Sequence, residues 1–357
     1  ELHPIIIESI PEGRVYQGEP GEELLAFDIT FKEDARWSDG TDLSNKDYAF
    51  TVKAIKHSLS KATGWKPYFN FIKDVILDPD DNNKLTVIMD ANYMLSKELC
   101  LTTNILPAHI HDKNKLLENI AVSDINNVEV LPLDSLTIQL FESFNNSMND
   151  KLDVVQIGPY QITDFQTDQY IVLQKVKDYW GNNYPDNPFL QGYANQLVFK
   201  IVPDELTAMT MAKEGQLDIV GFNQATSFLE FNNDEQYAEE WSFHTPQLMM
   251  YYYIALNNKN SLLTDSNVRR AMAHSLDVND FIENLDGGLG IRTIGHFHPT
   301  KTYYNHDLTP KEFDLTAAKN YLNQSGWSDS DNDDVVDKMI DGKLVPLELD
   351  LLITGSQ

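Results

Sequence analysis

The chain has 357 residues, 42% hydrophobic and 11% aromatic, too long for one core and unlike a disordered chain. Its 55 acidic against 27 basic residues leave a formal charge of −28, a soluble surface that repels nucleic acid and anionic lipid. The lone Cys100 excludes an intrachain disulfide or a cluster of thiolates on a metal, and no apolar run approaches the ~18 residues of a membrane span.

In chain order, Pro4-Ile5-Ile6-Ile7 is already strand-like, and the abrupt start at Glu1 is read as following a leader further upstream. Phe27-Asp28-Ile29-Thr30-Phe31 alternates and predicts a half-buried strand with Phe27, Ile29 and Phe31 on one face. Trp37-Ser38-Asp39-Gly40-Thr41 is a turn, and Ser44 caps a helix with Asp47 as a short capping-box acid. Tyr48, Val52, Ile55 and Leu59 make one face of that helix. Residues 84–89 and 135–140 each follow a turn cluster, and both are predicted as strands sharing a sheet with Phe27. Between them Lys97–Leu101 reads as helix, with Cys100 a small core residue, and Ile105–His111 as a loop entering a polar helix.

After Gly158-Pro159-Tyr160, strands are predicted at 170–173 and 196–202. A helix from Asp204 carries Leu206, Met209 and Ala212 and ends at Gly215, with a strand expected at 216–220. Another strand is expected over Tyr251–Asn258, then helices capped by Asp265 and Asp277 and a helix over Asp314–Leu322. The last bears Leu315, Ala318, Tyr321 and Leu322 and ends at Gly326; a final strand is expected at 347–353.

Several of these pieces resemble the signatures of family 5 extracellular solute-binding proteins. They are Phe27-x-x-x-Phe31 with Trp37-Ser38-Asp39-Gly40-Thr41, Leu106-Pro107-Ala108-His109, and Gly158-Pro159-Tyr160 with Asp178-Tyr179-Trp180. The later ones are the helix feeding Gly215-x-Leu217-Asp218-Ile219, then Asn257-Asn258, Val268-Arg269-Arg270-Ala271 and Leu276-Asp277 with Phe281-Ile282. The resemblance implies an α/β, bilobal fold of the periplasmic-binding type (type II, cluster C) with an extra small α+β domain. Residues 1–155 would be that accessory domain, 156–255 part of lobe I and 256–357 part of a truncated lobe II, the chain covering the middle of a family member. It further implies a monomeric, periplasmic or extracellular receptor, lipid-anchored at full length. Such a receptor captures oligopeptides without catalysis or cofactor and docks on the membrane subunits of an ABC importer.

Carried over residue by residue, Tyr68 resembles a cleft tyrosine, and Gly221, Phe222 and Asn223 a ligand-lining segment. Tyr253 and Ala255 match a crossover strand where some peptide binders carry an acid, so Ala255 is a departure. Core packing is the competing reading for each aromatic. The family's acidic anchor for a peptide amino terminus would lie beyond residue 357, and a fragment with an incomplete cleft is expected to bind weakly.

Other chemistry has less support. Arg269 and Arg270 read as a solvated or salt-bridged face, and Gly287–Gly290 as a flexible turn rather than a phosphate loop. His109/His111 and His296/His298 have the i, i+2 spacing of half a zinc site on a strand, the basis of a metal-dependent hydrolase alternative, but neither has a third ligand at motif distance. Asp329, Asp331 and Asp333 space their oxygens as in a calcium loop, though Asp334 and Ile340 stand where an EF-hand needs Gly and Glu. A plain hairpin or a calcium-stabilised adhesion module are the two readings there. Within the same fold, an oligosaccharide, nickel chelate or opine ligand remains the alternative to peptide.

Overall fold

Strands β1 (Arg14–Gln17), β2 (Glu23–Thr30), β3 (Ile72–Leu77) and β4 (Lys84–Asp90) form an antiparallel sheet ordered β1-β2-β4-β3. They belong to a computed structural model that describes residues 2–147, 152, 154–237 and 239–353. Glu1 and residues 354–357, the outer limits of the first and last expected domains, lie outside the described residues. The chain divides into two compact units, Glu1–Ile201 and Val202–Gln357.

In the first unit Phe27 pairs with Val87 and Ile29 with Leu85, so the alternation read in the sequence sets one apolar face. Phe31 continues it through a single bridge to Ile7, all that forms of the expected Pro4–Ile7 strand. On this face lies α1 (Asn45–Lys56), with Tyr48, Val52 and Ile55 in the shared core. The helix is buried on a second side too: Phe50 and Ala54 join a separate core with Leu117, Ile125 and Leu131. A helix covered on both sides must satisfy its polar residues internally. Lys53 does so by donating to the carbonyls of Leu117 and Glu118, and Asn45 in part: its Nδ2 donates to those of Asp78, Asp81 and Lys84 while its Oδ1 is buried without a partner. The helix stops at His57, extended at ψ 143°, so Leu59 lies past its end.

α2 (Lys66–Phe69), α3 (Ser96–Leu101) and α4 (Ala108–His111) are short. Residues 135–140, expected as a strand, instead open α5 (Ser135–Ser147), which is a correction. Asp134, read as turn chemistry, is the cap: its carboxylate accepts the Leu136 and Thr137 amides at 3.0 and 2.9 Å. β-Propensity did not decide the segment, because Thr137, Leu140, Phe141 and Phe144 line one helical face, and that face is the buried one.

A second antiparallel sheet, β5 (Tyr160–Gln166), β6 (Tyr170–Lys175) and β7 (Gln196–Lys200), follows Gly158-Pro159. The intervening Tyr179 and Trp180 enter the main core, and the indole N–H donates to the Ile157 carbonyl at 3.0 Å. Gly181 is required there, since a Cβ would stand 2.3 Å from the Tyr179 ring.

The second unit contains α6 (Glu205–Lys213), α7 (Ala225–Asn232), α8 (Ser266–His274), α9 (Val278–Asn284) and α10 (Leu315–Gln324). Asp265 and Asp277 cap as expected, and Asp204 and Asp314, read as helix starts, prove to be caps too. Gly215 takes φ +70° after α6, the left-handed stop only glycine adopts cheaply. Val268 and Trp327 centre one core, Met209 and Phe231 another.

Three expected strands are corrected. Residues 216–220, 251–258 and 347–353 carry no ladder among the described residues, and Ile219, Tyr252 and Leu352 stay 89%, 88% and 96% exposed. β-rich composition is local, whereas a strand also needs a neighbour for its N–H and C=O groups. Among the described residues, the sheet of this unit is the hairpin β8 (Asp337–Ile340) and β9 (Lys343–Pro346), turned by Asp341-Gly342.

Candidate ligand-binding site

The residues singled out from sequence fall on different elements. Tyr68 sits on α2 in the first unit, 49% exposed, one helical turn from the exposed Trp65. Behind it Tyr93 stacks on Phe71 with centroids 4.1 Å apart, its phenol raised by burial and by Tyr68 and Glu98.

In the second unit Gly221 is exposed with open space around its Cα, while Phe222 packs edge-on to Phe228 and Phe231 at 6.2 and 6.1 Å. The Asn223 and Gln224 amides both donate to the Glu205 carboxylate of α6, fixing the segment just before α7. Phe222 thus has the packing role weighed against it, and Gly221 and Asn223 are exposed. Tyr253 is 70% exposed beside Tyr251, whose ring centroid is 5.4 Å away, and Ala255 is exposed.

Two depressions in the first unit are lined by none of these residues. One of about 480 Å³ runs along His3 and Asn183–Phe189, where His3 stacks on Phe189 at 4.2 Å. The other, about 560 Å³, is lined by Glu8, Glu33, Asp34, Asp81, Lys84 and Tyr184 among others. There the Asp34 carboxylate accepts from Asn183 and from the Tyr184 hydroxyl at 2.6 and 2.7 Å, and Lys32 Nζ lies 4.7 Å from the Tyr184 ring centroid. Burial and the neighbouring carboxylates push the Tyr184 phenol up to about 12. Sequence reasoning passed over Asp34, because a single acid after a strand carries no motif.

The histidine pairs have other partners. His109 Nε2 meets Asp39 Oδ2 at 2.7 Å, and His111 lies flat against Phe50. His296 is bonded to the Tyr251 hydroxyl and His298 to Thr300. Cys100 is buried, its thiol pushed up to about 12 by desolvation, and its sulfur donates to the Lys97 carbonyl. Arg269 donates to the Leu263 and Thr264 carbonyls and Arg270 lies over the Tyr321 ring, so both are structural.

Asp329, Asp331 and Asp333 do come together: one oxygen from each lies within 4.8 Å of the others, all three residues exposed. Among the described residues no other trio of His, Cys, Asp or Glu does so. The loop is closed by an antiparallel bridge between Ser328 and Asp337, and Asp329 accepts from the Asp333 and Asp334 amides. Desolvation and the surrounding Asp333, Asp337 and Asp329 charges raise the Asp331 carboxyl.

No helix among the described residues is long and apolar enough to cross a membrane. The oligopeptide-binding protein AppA of Bacillus subtilis (strain 168) is 26% identical over 328 residues, covering 89% of this chain and 51% of that protein. The nickel-binding periplasmic protein of Escherichia coli (strain K12) is 23% identical over 337 residues, covering 94% and 56%. The oligopeptide-binding protein of Thermus thermophilus, solved with a pentapeptide, superposes with a TM-score of 0.62 at 17% identity, covering 96% of this chain and 58% of that one. The chain therefore spans about half the length of the curated relatives it matches. Structural likeness at such identity carries the fold, which is the mixed α/β fold of periplasmic solute-binding proteins. Residues 1–355 match the model for the middle part of the bacterial extracellular solute-binding proteins, family 5, and the chain belongs to that family.

Proposed function

We propose that the protein carrying this chain is the extracellular receptor of an ABC importer that captures an oligopeptide and releases it chemically unchanged. The observation that supports this most is the family match over residues 1–355, joined by the oligopeptide-binding relative in Bacillus subtilis. In this reading two lobes close on the ligand and the closed form docks on the membrane subunits, a hinge motion driven by differential affinity for ligand. Division of the chain after residues 155 and 255, monomeric state and a lipid anchor belong to the same proposal. So does ligand lining by Tyr68, Gly221, Phe222, Asn223, Tyr253 and Ala255.

A receptor for varied peptides grips main-chain groups and leaves room for side chains, which suits exposed aromatics and backbone rather than a fixed charge. Ala255 fits that reading, since it supplies no charge where an acid would read a ligand amine. A nickel chelate is the second reading, favoured by the Escherichia coli relative. Calorimetry of the protein against mixed di- to oligopeptides, a nickel–histidine chelate and a mannose oligosaccharide separates them. Heat with peptides alone supports the proposal; heat with only the chelate or the sugar overturns it.

A further inference from the structure

Helix α5 is seated by two imidazoles from far along the chain. His57, at the end of α1, stacks on Phe141 with centroids 3.9 Å apart and planes at 11°. His111, on α4, stacks on Phe50 at 5.9 Å and 2° and meets Phe144 edge-on at 5.6 Å. Phe141 and Phe144 are 1% exposed and form the inner face of α5.

The His57 bonding fixes its protonation. Nδ1 accepts the Leu59 backbone N–H at 3.1 Å, so that nitrogen carries no proton. An imidazolium has a proton on both nitrogens and would turn a donor toward that N–H. On His111, Nδ1 lies 3.4 Å from Ser147 Oγ at the last residue of α5. In its cationic form the buried His57 would place a charge in an aromatic core, and the half-buried His111 would place one at its edge.

The neighbouring side chains that act on the two imidazoles both lower them. Lys66, which donates to the Ser58 carbonyl, faces His57, and His109 on the same short helix faces His111. From α1, the Asp47 carboxylate is spent on the Ala108 N–H and Lys53 on two carbonyls; Asp112 accepts the Leu116 and Leu117 amides. α5 carries one charged side chain, the exposed Glu142. Its sequence, with Thr137, Ile138 and two phenylalanines and no oppositely charged pair, has little helical stability of its own.

We infer that α5 is an acid-released helix: protonation of His57 and His111 unseats Phe141 and Phe144 and frees Ser135–Ser147 from α1. Burial supports this by pushing His57 down to about 4, with Lys66 adding to it, and by lowering His111, with His109 adding to it. An imidazole that titrates near its ordinary 6.5 once released binds protons that the seated one refuses. The seated state therefore loses ground as pH falls below about 6.5, and for His57 alone the opening equilibrium at pH 5 grows about 30-fold. The inference holds whatever solute the protein carries.

The test is amide hydrogen exchange of the whole 357-residue chain at pH 7.5 and pH 5, corrected for the intrinsic pH dependence of exchange. Protection across α5 is expected to fall about 30-fold or more while β2 and β4 hold. His57→Asn keeps an acceptor for Leu59 without titrating, and His111→Phe keeps the stack; the double variant is expected to lose the acid response. Imidazole C2-proton exchange on the unaltered chain reads the two titrations directly, independently of whether the variants fold. Unchanged α5 protection at pH 5, an acid response that survives in the double variant, or ordinary titration near 6.5 for both histidines would overturn the inference.

Discussion

Replacing Asp47 with Ala removes the most connected buried carboxylate of the first unit. Asp47 is 3% exposed and accepts from four donors: the Ser44 N–H at 2.9 Å, the Ser44 hydroxyl at 3.1 Å, the Trp37 indole at 3.4 Å and the Ala108 N–H at 2.8 Å. One carboxylate thus caps α1, holds the turn before it and anchors α4. Losing the capping contact costs about 1 kcal/mol. The Ser44 and Ala108 amides left without an acceptor cost about 1–3 kcal/mol each where water does not reach them. Counting the Ser44 amide once, as the capping contact itself, the expected loss is about 2–6 kcal/mol. The assay is hydrogen exchange of α1 amides across a urea series, which reads this unit apart from the other. Asp47→Asn, which keeps the volume but turns an amide donor toward one of these N–H groups, should fall between. An Asp47→Ala loss below about 1 kcal/mol would refute the reasoning, because it would mean these donors find water at no cost.

Asn45→Ala should cost about 2 kcal/mol in the same assay, since three carbonyls of the β3–β4 turn lose their shared donor; a neutral result would show the turn closing on water. Lys56, whose ammonium donates to the Phe69 and Ile72 carbonyls, is pushed down to about 8 by burial. Between pH 8 and 10.5 the unfolded chain binds the extra proton, so its contribution to stability rises with pH by at most about 3 kcal/mol, and Lys56→Met should remove that rise in a urea series. Asp331→Asn should raise the melting temperature in calcium-free buffer, because the Asp331 carboxyl is raised by desolvation and by three neighbouring acids. The same raised carboxyl favours the folded state on acidification. A melt that rises with calcium for the native loop and not for the variant would carry the calcium reading, and an unchanged melt would remove it.

How much was legible depended on how local the signal was. The Phe27 strand, the Trp37–Thr41 turn and the helix after Ser44 could be read because alternation, turn residues and cap sit within a few residues of one another. The aspartate caps at 265 and 277, and the helix starts at 204 and 314, were legible for the same reason. α5 was missed although its cap, Asp134, was in view: the β-propensity of 135–140 suggested a strand, and only packing against Phe50 and Leu117 decides for the helix. The segments at 216–220, 251–258 and 347–353 show the converse, strand composition without a ladder. The acidic trio was legible as spacing, and the loop brings its oxygens together. The links from His57 to Phe141 and from Asp39 to His109 were not, because contacts between distant residues leave no pattern in one sequence.

Equilibrium dialysis of the full-length protein that carries this chain against a labelled pentapeptide, followed by denaturation and mass analysis of what was held, tests the proposed receptor most directly. The account predicts saturable retention of the peptide and its recovery at unaltered mass. Recovery of cleaved fragments, or no retention of any peptide alongside retention of a nickel chelate or an oligosaccharide, would contradict it.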